Sequence, residues 1–323
     1  MSHAWTEETL ETYASGLLSW HVYCDAKNIL EMQRAPASPV LITFFLASMA
    51  GLFSNKTLHN YVHGICAWHI LHGSPWAMND DELKMILKAT EKLTPATSRR
   101  KKRRPYTPDF ITAIKHQLNL DSSLDAAVFA CLTTCFYAAS RLGEFTVRRL
   151  DSFNATLHAT PANLSNSHSR DGSEVTVLHL PQTKVNTHGE DVYWAKQHGE
   201  TDPVAALTHH LQVNSPPVDA HLFLYHHNKG HRPLTKTKFL ERVATAARCA
   251  NLEPLQGHGI RIGATLEYLL RGVPFDVVKV KGRWASDAFL LYLTKNAQVL
   301  APYMQANPQI LDTFTRYIVL PVR

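Results

Sequence analysis

Residues 257–292 read GHGIRIGATLEYLLRGVPFDVVKVKGRWASDAFLLY, and three groups of residues in this stretch carry chemistry. The first is Gly257-His258-Gly259-Ile260-Arg261. His258 and Arg261 are three residues apart, so a helix sets both side chains on one face. Gly257 and Gly259 permit close backbone approach at the helix start, where outward-pointing amides form a ready anion site. The second is Gly282-Arg283-Trp284, followed by Ser286, a good N-cap for a further helix. The third is that helix, Ala288-Phe289-Leu290-Leu291-Tyr292-Leu293. Taken alone, His258 and Arg261 also read as a satisfied histidine beside a surface arginine, and Tyr292 as a core residue.

Two upstream segments extend the pattern. Leu124 to Ser140 is a long apolar helix, and Arg141 follows it with Glu144 three residues later on the same face, a pattern that a plain surface ion pair would also give. Glu174 to Leu180 alternates like a half-buried strand, with Asp191 to Trp194 as its hairpin partner. Lys184 follows the first strand in Pro181-Gln182-Thr183-Lys184, where a lysine is ordinarily solubilising decoration.

In chain order these positions are Arg141, Lys184, His258 with Arg261, Trp284 and Tyr292. That order resembles the tyrosine recombinases, which run Arg, Lys, His-x-x-Arg, His or Trp, and Tyr. Glu144 matches the acidic partner in the family's Arg-x-x-Glu context. The segment from Gly282 to Tyr292 resembles the recombinases of eukaryotic mobile elements, the Cryptons and DIRS-like retroelements. Trp284 precedes Tyr292 by eight residues, a shorter interval than elsewhere in the family, and Tyr303 is the fallback nucleophile.

The resemblance implies site-specific DNA recombination or integration by transesterification. Tyr292 would attack a phosphodiester and form a 3′-phosphotyrosine link. Arg141 and Arg261 would clamp the phosphate oxygens, and His258 and Trp284 would add hydrogen bonds. Lys184 would protonate the leaving 5′-hydroxyl. Neither metal nor ATP would be needed, and no cofactor is expected. The implied partner is double-stranded DNA, held by a homotetramer spanning two sites during strand exchange. A type IB topoisomerase and a domesticated, non-catalytic DNA-binding protein are the alternatives.

The rest of the chain fits two domains. It has 323 residues, 45% of them hydrophobic and 19% charged, enough to bury ordinary cores. The expected fold is mainly α: a small helical bundle over residues 1–97, a basic linker over 98–105 and a catalytic domain over 106–323. The catalytic domain is mostly helical with a small antiparallel sheet, the DNA breaking-rejoining fold. The first unit matches the family's core-binding domain in architecture alone. Within it, Thr6 caps a helix with Leu10, Tyr13, Leu17 and Leu18 on its apolar face. Ser38-Pro39 starts a second, with Phe44, Phe45 and Met49 inward. A third spans about Lys56 to Leu71, with Leu58, Tyr61, Val62, Ile65 and Trp68 as its stripe. Asn79 caps a fourth, where Asp80, Asp81 and Glu82 precede Leu83, Ile86 and Leu87. In the second unit Thr107-Pro108-Asp109 opens the first helix.

Net charge is +6, and the run Arg99-Arg100-Lys101-Lys102-Arg103-Arg104 concentrates it. Such a run reads as a solvated linker, as a phosphate-tracking segment or as a nuclear-import signal. With the eukaryotic-element resemblance it suggests the nucleus. The segment Met1 to Glu8 lacks a basic stretch followed by an apolar one, so no secretory signal is expected. No apolar run is long enough for a membrane helix. Five cysteines, an odd number, do not suggest a disulfide framework. His63, Cys66, His69 and His72 recur at threes but drift round a helix, so no metal site is expected there. His226, His227 and His231 around a loop also read as bland, and Cys131 and Cys135 as buried packing residues.

Overall fold

The computed structural model describes residues 5, 7–98, 103–168, 170, 172–183, 186–228, 230–284 and 297. The chain divides into two compact units, Met1–Lys102 and Arg103–Arg323.

The first unit holds α1 (Glu7–Ala26), a single turn α2 (Glu31–Arg34), α3 (Pro39–Met49), α4 (Asn55–Leu71) and α5 (Asp80–Lys92). Side-chain caps set the starts of α3, α4 and α5, while Thr6 lies outside the described residues. Ser38 Oγ accepts from the Leu41 amide at 3.2 Å. Asn79 Oδ1 accepts from the amides of Asp81 at 2.9 Å and Glu82 at 3.1 Å, which satisfies donors that a helix leaves open. The core is built from Trp20, Ile42, Phe45, Leu58, Val62 and Ile65, all fully buried.

The α1 face differs from the expected one. Leu18 is 66% exposed and Leu10 is exposed as well, and on α3 Phe44 is 61% exposed. The buried stripe of α1 is instead Gly16, Trp20 and Cys24. The reason is close packing on α4. A Cβ on Gly16 would lie 2.6 Å from Tyr61 Cα, and one on Gly64 would lie 2.6 Å from the Tyr13 carbonyl oxygen. The two backbones meet where side chains are missing, and this contact turns α1 so that Leu10 and Leu18 face water. Buried His69, from the histidine-cysteine series, takes the Ala37 amide on Nε2 at 3.0 Å and donates from Nδ1 to the Ile65 carbonyl at 2.8 Å.

The second unit is organised round one buried helix. It runs α6 (Pro108–Lys115), α7 (Ser123–Tyr137), β1 (Leu164–His168), β2 (Glu174–Leu180), β3 (Glu190–Trp194) and α8 (Pro203–Asn214). Then come β4 (Leu224–His227), β5 (Gly230–Pro233), α9 (Lys236–Cys249), α10 (His258–Leu270) and α11 (Phe275–Lys281). Every residue of α7 from Asp125 to Tyr137 is buried, Cys131 and Cys135 included. A helix that is apolar all round must be enclosed on all sides. α6, α8, α9, α10, β3 and β4 enclose it. Its one buried charge, Asp125, is met by the Arg242 fork from α9, at 2.6 Å to Oδ1 and 2.7 Å to Oδ2. Thr107 Oγ1 caps α6 through the Phe110 amide at 3.1 Å.

The strands form a three-stranded antiparallel sheet, β1-β2-β3, and a separate hairpin, β4-β5. Leu178 faces Val192 and Leu180 faces Glu190, so the expected β2–β3 hairpin is present. Among the described residues no helix is long and apolar enough to cross a membrane.

Gly64→Ala forces a methyl group into the Tyr13 backbone. It is expected to destabilise the chain by about 1–3 kcal/mol, the usual range for overpacking. Urea unfolding should show a lower midpoint with an unchanged slope. A wild-type midpoint would mean that α1 and α4 are not in this contact.

Candidate active site

The C-terminal end of α7 delivers the first arginine. After Tyr137 the backbone turns through Ala139, whose φ is +50°, and Arg141 opens a one-turn 3-10 helix, Leu142–Glu144. The turn is closed from both sides. The Glu144 amide donates to the Arg141 carbonyl at 2.9 Å, and Glu144 Oε2 accepts from the Arg141 amide at 2.9 Å. Glu144 Oε1 also takes Arg141 Nη1 at 3.1 Å. The carboxylate is 7% exposed and the arginine side chain 31%, so one edge of the guanidinium is fixed and another stays open.

α10 delivers His258 and Arg261. Its start is pressed against the Arg141 turn, because a Cβ on Gly257 would lie 2.9 Å from Leu142 Cδ2 and 3.1 Å from Leu240 Cδ2 on α9. Residues 104–106 strap the other side. The Tyr106 amide donates to the Gly259 carbonyl at 3.0 Å, and the Tyr106 hydroxyl donates to the Leu255 carbonyl at 3.2 Å. A Cβ on Gly259 would lie 2.5 Å from the Arg104 carbonyl oxygen, and one on Gly263 would overlap the Tyr106 backbone. The space that Gly259 opens is thus taken by the chain's own backbone.

Arg261 is 2% exposed and forms the floor of the site. Its Nη2 donates to the Gly282 carbonyl. Its guanidinium carbon lies 4.3 Å from the centre of the Trp284 ring, a cation–π contact. Arg141, His258, Arg261 and Trp284 are therefore brought together, although the sequence carries them on three separate segments.

The electrostatics of His258 reveal two further members. Its imidazole reaches solvent on one side, but its packed side is desolvated. Burial is the main cause that holds its pKa below the ordinary histidine value, and Arg103, Arg261, Arg141 and Lys236 push the same way in that order. Lys236 is the first residue of α9, and Arg103 is the first residue of the second unit. Lys236 stands in no motif, while Arg103 belongs to the basic run 99–104, which marks its charge but not its place beside His258. Arg103, His258 and Lys236 are exposed at the rim, Arg141 is partly covered and Arg261 is buried beneath. Such a graded cationic site suits an anion that enters from water and gains charge while bound.

Arg104, also assigned to the linker, pairs instead with Glu253 at 2.8 Å. Arg99 to Lys102, Lys184, Tyr292, Tyr303 and the helix expected from Ser286 lie outside the described residues.

No family model and no curated protein matches the sequence. Solved structures do match. One is the XerH site-specific recombinase bound to palindromic difH substrate in a post-cleavage complex, with 13% identity and a TM-score of 0.55. The match covers 94% of this chain and 78% of that one. Another is XerH bound to difH substrate in a pre-cleavage complex, with 15% identity, a TM-score of 0.53 and coverage of 94% and 77%. The fold is that of the tyrosine recombinases. At this identity the likeness is one of fold.

His258 offers a direct check on the site's electrostatics. Its folded pKa lies below that of the unfolded chain, so the unfolded chain takes up the proton first. Folding stability should therefore fall as pH drops through the ordinary histidine range, near 6.5. Arg103→Gln removes a cation and should move the His258 titration upward, toward the ordinary value. NMR of the imidazole resonances, assigned with His258→Gln, reads this. A titration at the same pH in Arg103→Gln and wild type would mean that Arg103 does not face the imidazole.

Proposed function

We propose that this chain is a site-specific DNA recombinase that cuts and rejoins DNA through a 3′-phosphotyrosine on Tyr292. The observation that carries the proposal is the convergence of Arg141, His258, Arg261 and Trp284 in one cationic site, within a fold shared with a recombinase solved in complex with its DNA substrate.

The chemistry follows from charge. A phosphodiester carries one negative charge, and attack at phosphorus builds further charge on its non-bridging oxygens. Arg141 and Arg261 stay cationic at any working pH and offer forked donors to those oxygens. Losing one such preorganised donor typically costs on the order of 10²–10³ in rate. Trp284 can donate a hydrogen bond but cannot carry a proton. Tyr292 Oη bonds to phosphorus while the bond to the 5′-oxygen breaks. The phenolic proton passes to His258, which its surroundings keep neutral near pH 7. Lys184 gives a proton to the departing 5′-oxygen. The phosphotyrosine keeps the bond energy, so a second 5′-hydroxyl reverses the steps without ATP, and the arginines take the place of metal ions.

The same reading extends to assembly. Both units bind the duplex, the basic run 99–104 follows the phosphate backbone, and four copies join two sites for strand exchange. Kinship with Crypton and DIRS-like elements, and work in the nucleus, complete the proposal. They rest on the Gly282 to Tyr292 segment and the basic run.

The test is a detergent-resistant adduct on nicked duplex DNA, with chelator present and no ATP. Wild type should form it, and Tyr292→Phe should lose it entirely. An adduct that persists in Tyr292→Phe would move the nucleophile to another tyrosine, Tyr303 first. Salt-sensitive binding without any adduct would leave a non-catalytic DNA-binding protein.

A further inference from the structure

We infer that Arg283 is a positioning residue that ties the Arg141 turn, the base of the β2–β3 hairpin and Trp284 into one unit. The inference rests on the recombinase reading for its chemistry, but its geometry is independent of it.

Arg283 adopts φ +55°, a left-handed backbone that side chains other than glycine's rarely accept. A long cationic residue at such a position calls for a compensating interaction, and its side chain supplies one. It is 9% exposed, and its two terminal nitrogens reach in different directions. Nη2 donates to Glu144 Oε2 at 2.5 Å and to Ser140 Oγ at 3.2 Å. Nη1 donates to Glu190 Oε1 at 2.7 Å. Glu144 and Glu190 are 7% and 20% exposed, so water competes little for either.

Each arm ends on a segment with a role in the proposed reaction. Glu144 is the carboxylate that holds Arg141 by backbone and side chain. Glu190 opens β3, and Lys184 stands six residues before it in the sequence. The neighbours of Arg283 complete the unit, since the Gly282 carbonyl and the Trp284 ring both engage Arg261. One guanidinium fork thus joins segments near residues 141, 190 and 284.

Charge sharing adds a second consequence. Arg141, Glu144, Arg283 and Glu190 form an alternating chain of two cations and two anions. Because Arg283 occupies Glu144 Oε2, Arg141 is held to that carboxylate through only one side-chain contact, at Oε1. Without Arg283, Glu144 would pull Arg141 into a full fork-to-fork pair and divert donors from the phosphate. A lysine would keep the charge but, as a point donor, could not span both carboxylates.

The experiment uses full-length Arg283→Gly, Arg283→Lys and Glu190→Gln. Glycine suits the backbone at 283, and Glu190→Gln breaks only the hairpin arm. Cleavage of a nicked duplex is measured in single turnover at saturating protein, beside DNA affinity. We expect cleavage to slow on the order of 10- to 100-fold, as small misplacements of reacting groups do, with DNA affinity at the wild-type value. A duplex with sulfur in place of the bridging 5′-oxygen separates the arms, because a thiolate leaves without a proton donor. On that substrate Glu190→Gln should return to the wild-type rate, and Arg283→Gly should recover only in part. Hydrogen exchange should rise in both 140–145 and 181–190 in Arg283→Gly, and in 181–190 alone in Glu190→Gln. Wild-type cleavage by Arg283→Gly, or equal defects of Glu190→Gln on both substrates, would overturn the inference. If wild type forms no adduct, the proposed function fails by itself. Exchange then decides the coupling: a joint rise supports it, and a rise in one segment or neither overturns it. Should Arg283→Gly not fold, Glu190→Gln decides by the same readouts.

Discussion

Mutual repulsion among cations is the constraint on which the second unit depends. Arg103, Arg141, Lys236 and Arg261 all bear on His258, and like charges held together must be restrained by something outside themselves. The restraint is the packing behind them. α7 is enclosed on every side and fixes the turn that starts at Arg141. Gly257 presses α10 onto that turn and onto α9, while the Tyr106 strap closes its other flank. A site built this way does not need to gather its charges when an anion arrives, and that preorganisation is what gives fixed dipoles and cations their catalytic value.

Carboxylates enter this arrangement sparingly and behind the cations. Glu144 sits beneath the Arg141 turn, almost fully covered, and divides its two oxygens between Arg141 and Arg283. A carboxylate at the rim would compete with an incoming phosphate. One in the second layer orients Arg141 and leaves the outer edge of that guanidinium open. In buried ion pairs of this kind the cost of desolvation offsets much of the Coulombic gain, and their effect here is on geometry.

The sequence shows the parts of this design that are local. Caps such as Ser38, Asn79 and Thr107 announce themselves by residue type, and the apolar run of α7 and the β2–β3 alternation by period. His258 with Arg261, and Arg141 with Glu144, are one-turn pairs that a single helical step relates. What stays hidden is set by distant partners. Leu10 and Leu18 read as core but are exposed, because Gly16 and Gly64 let α1 and α4 approach and so choose another face. β1 reads Leu-Ser-Asn-Ser-His, without apolar alternation, and pairs only because β2 offers an edge. Lys236 joins the site from a position that no motif marks, and Arg103 from a basic run that says nothing of His258.

Arg283 lies between these two kinds of information. Its letter stands in a recognisable segment, yet nothing local says why an arginine should occupy a left-handed position. The answer is 139 residues away at Glu144 and 93 away at Glu190. In the proposed reaction the same groups must serve cleavage and rejoining, since the phosphotyrosine keeps the energy of the broken bond and the second step retraces the first. The clamp, the proton donor and the nucleophile then have to keep one geometry through both directions. A buried fork that answers to two carboxylates on different segments meets that requirement better than several independent contacts, because neither segment can shift without straining the other through the same guanidinium.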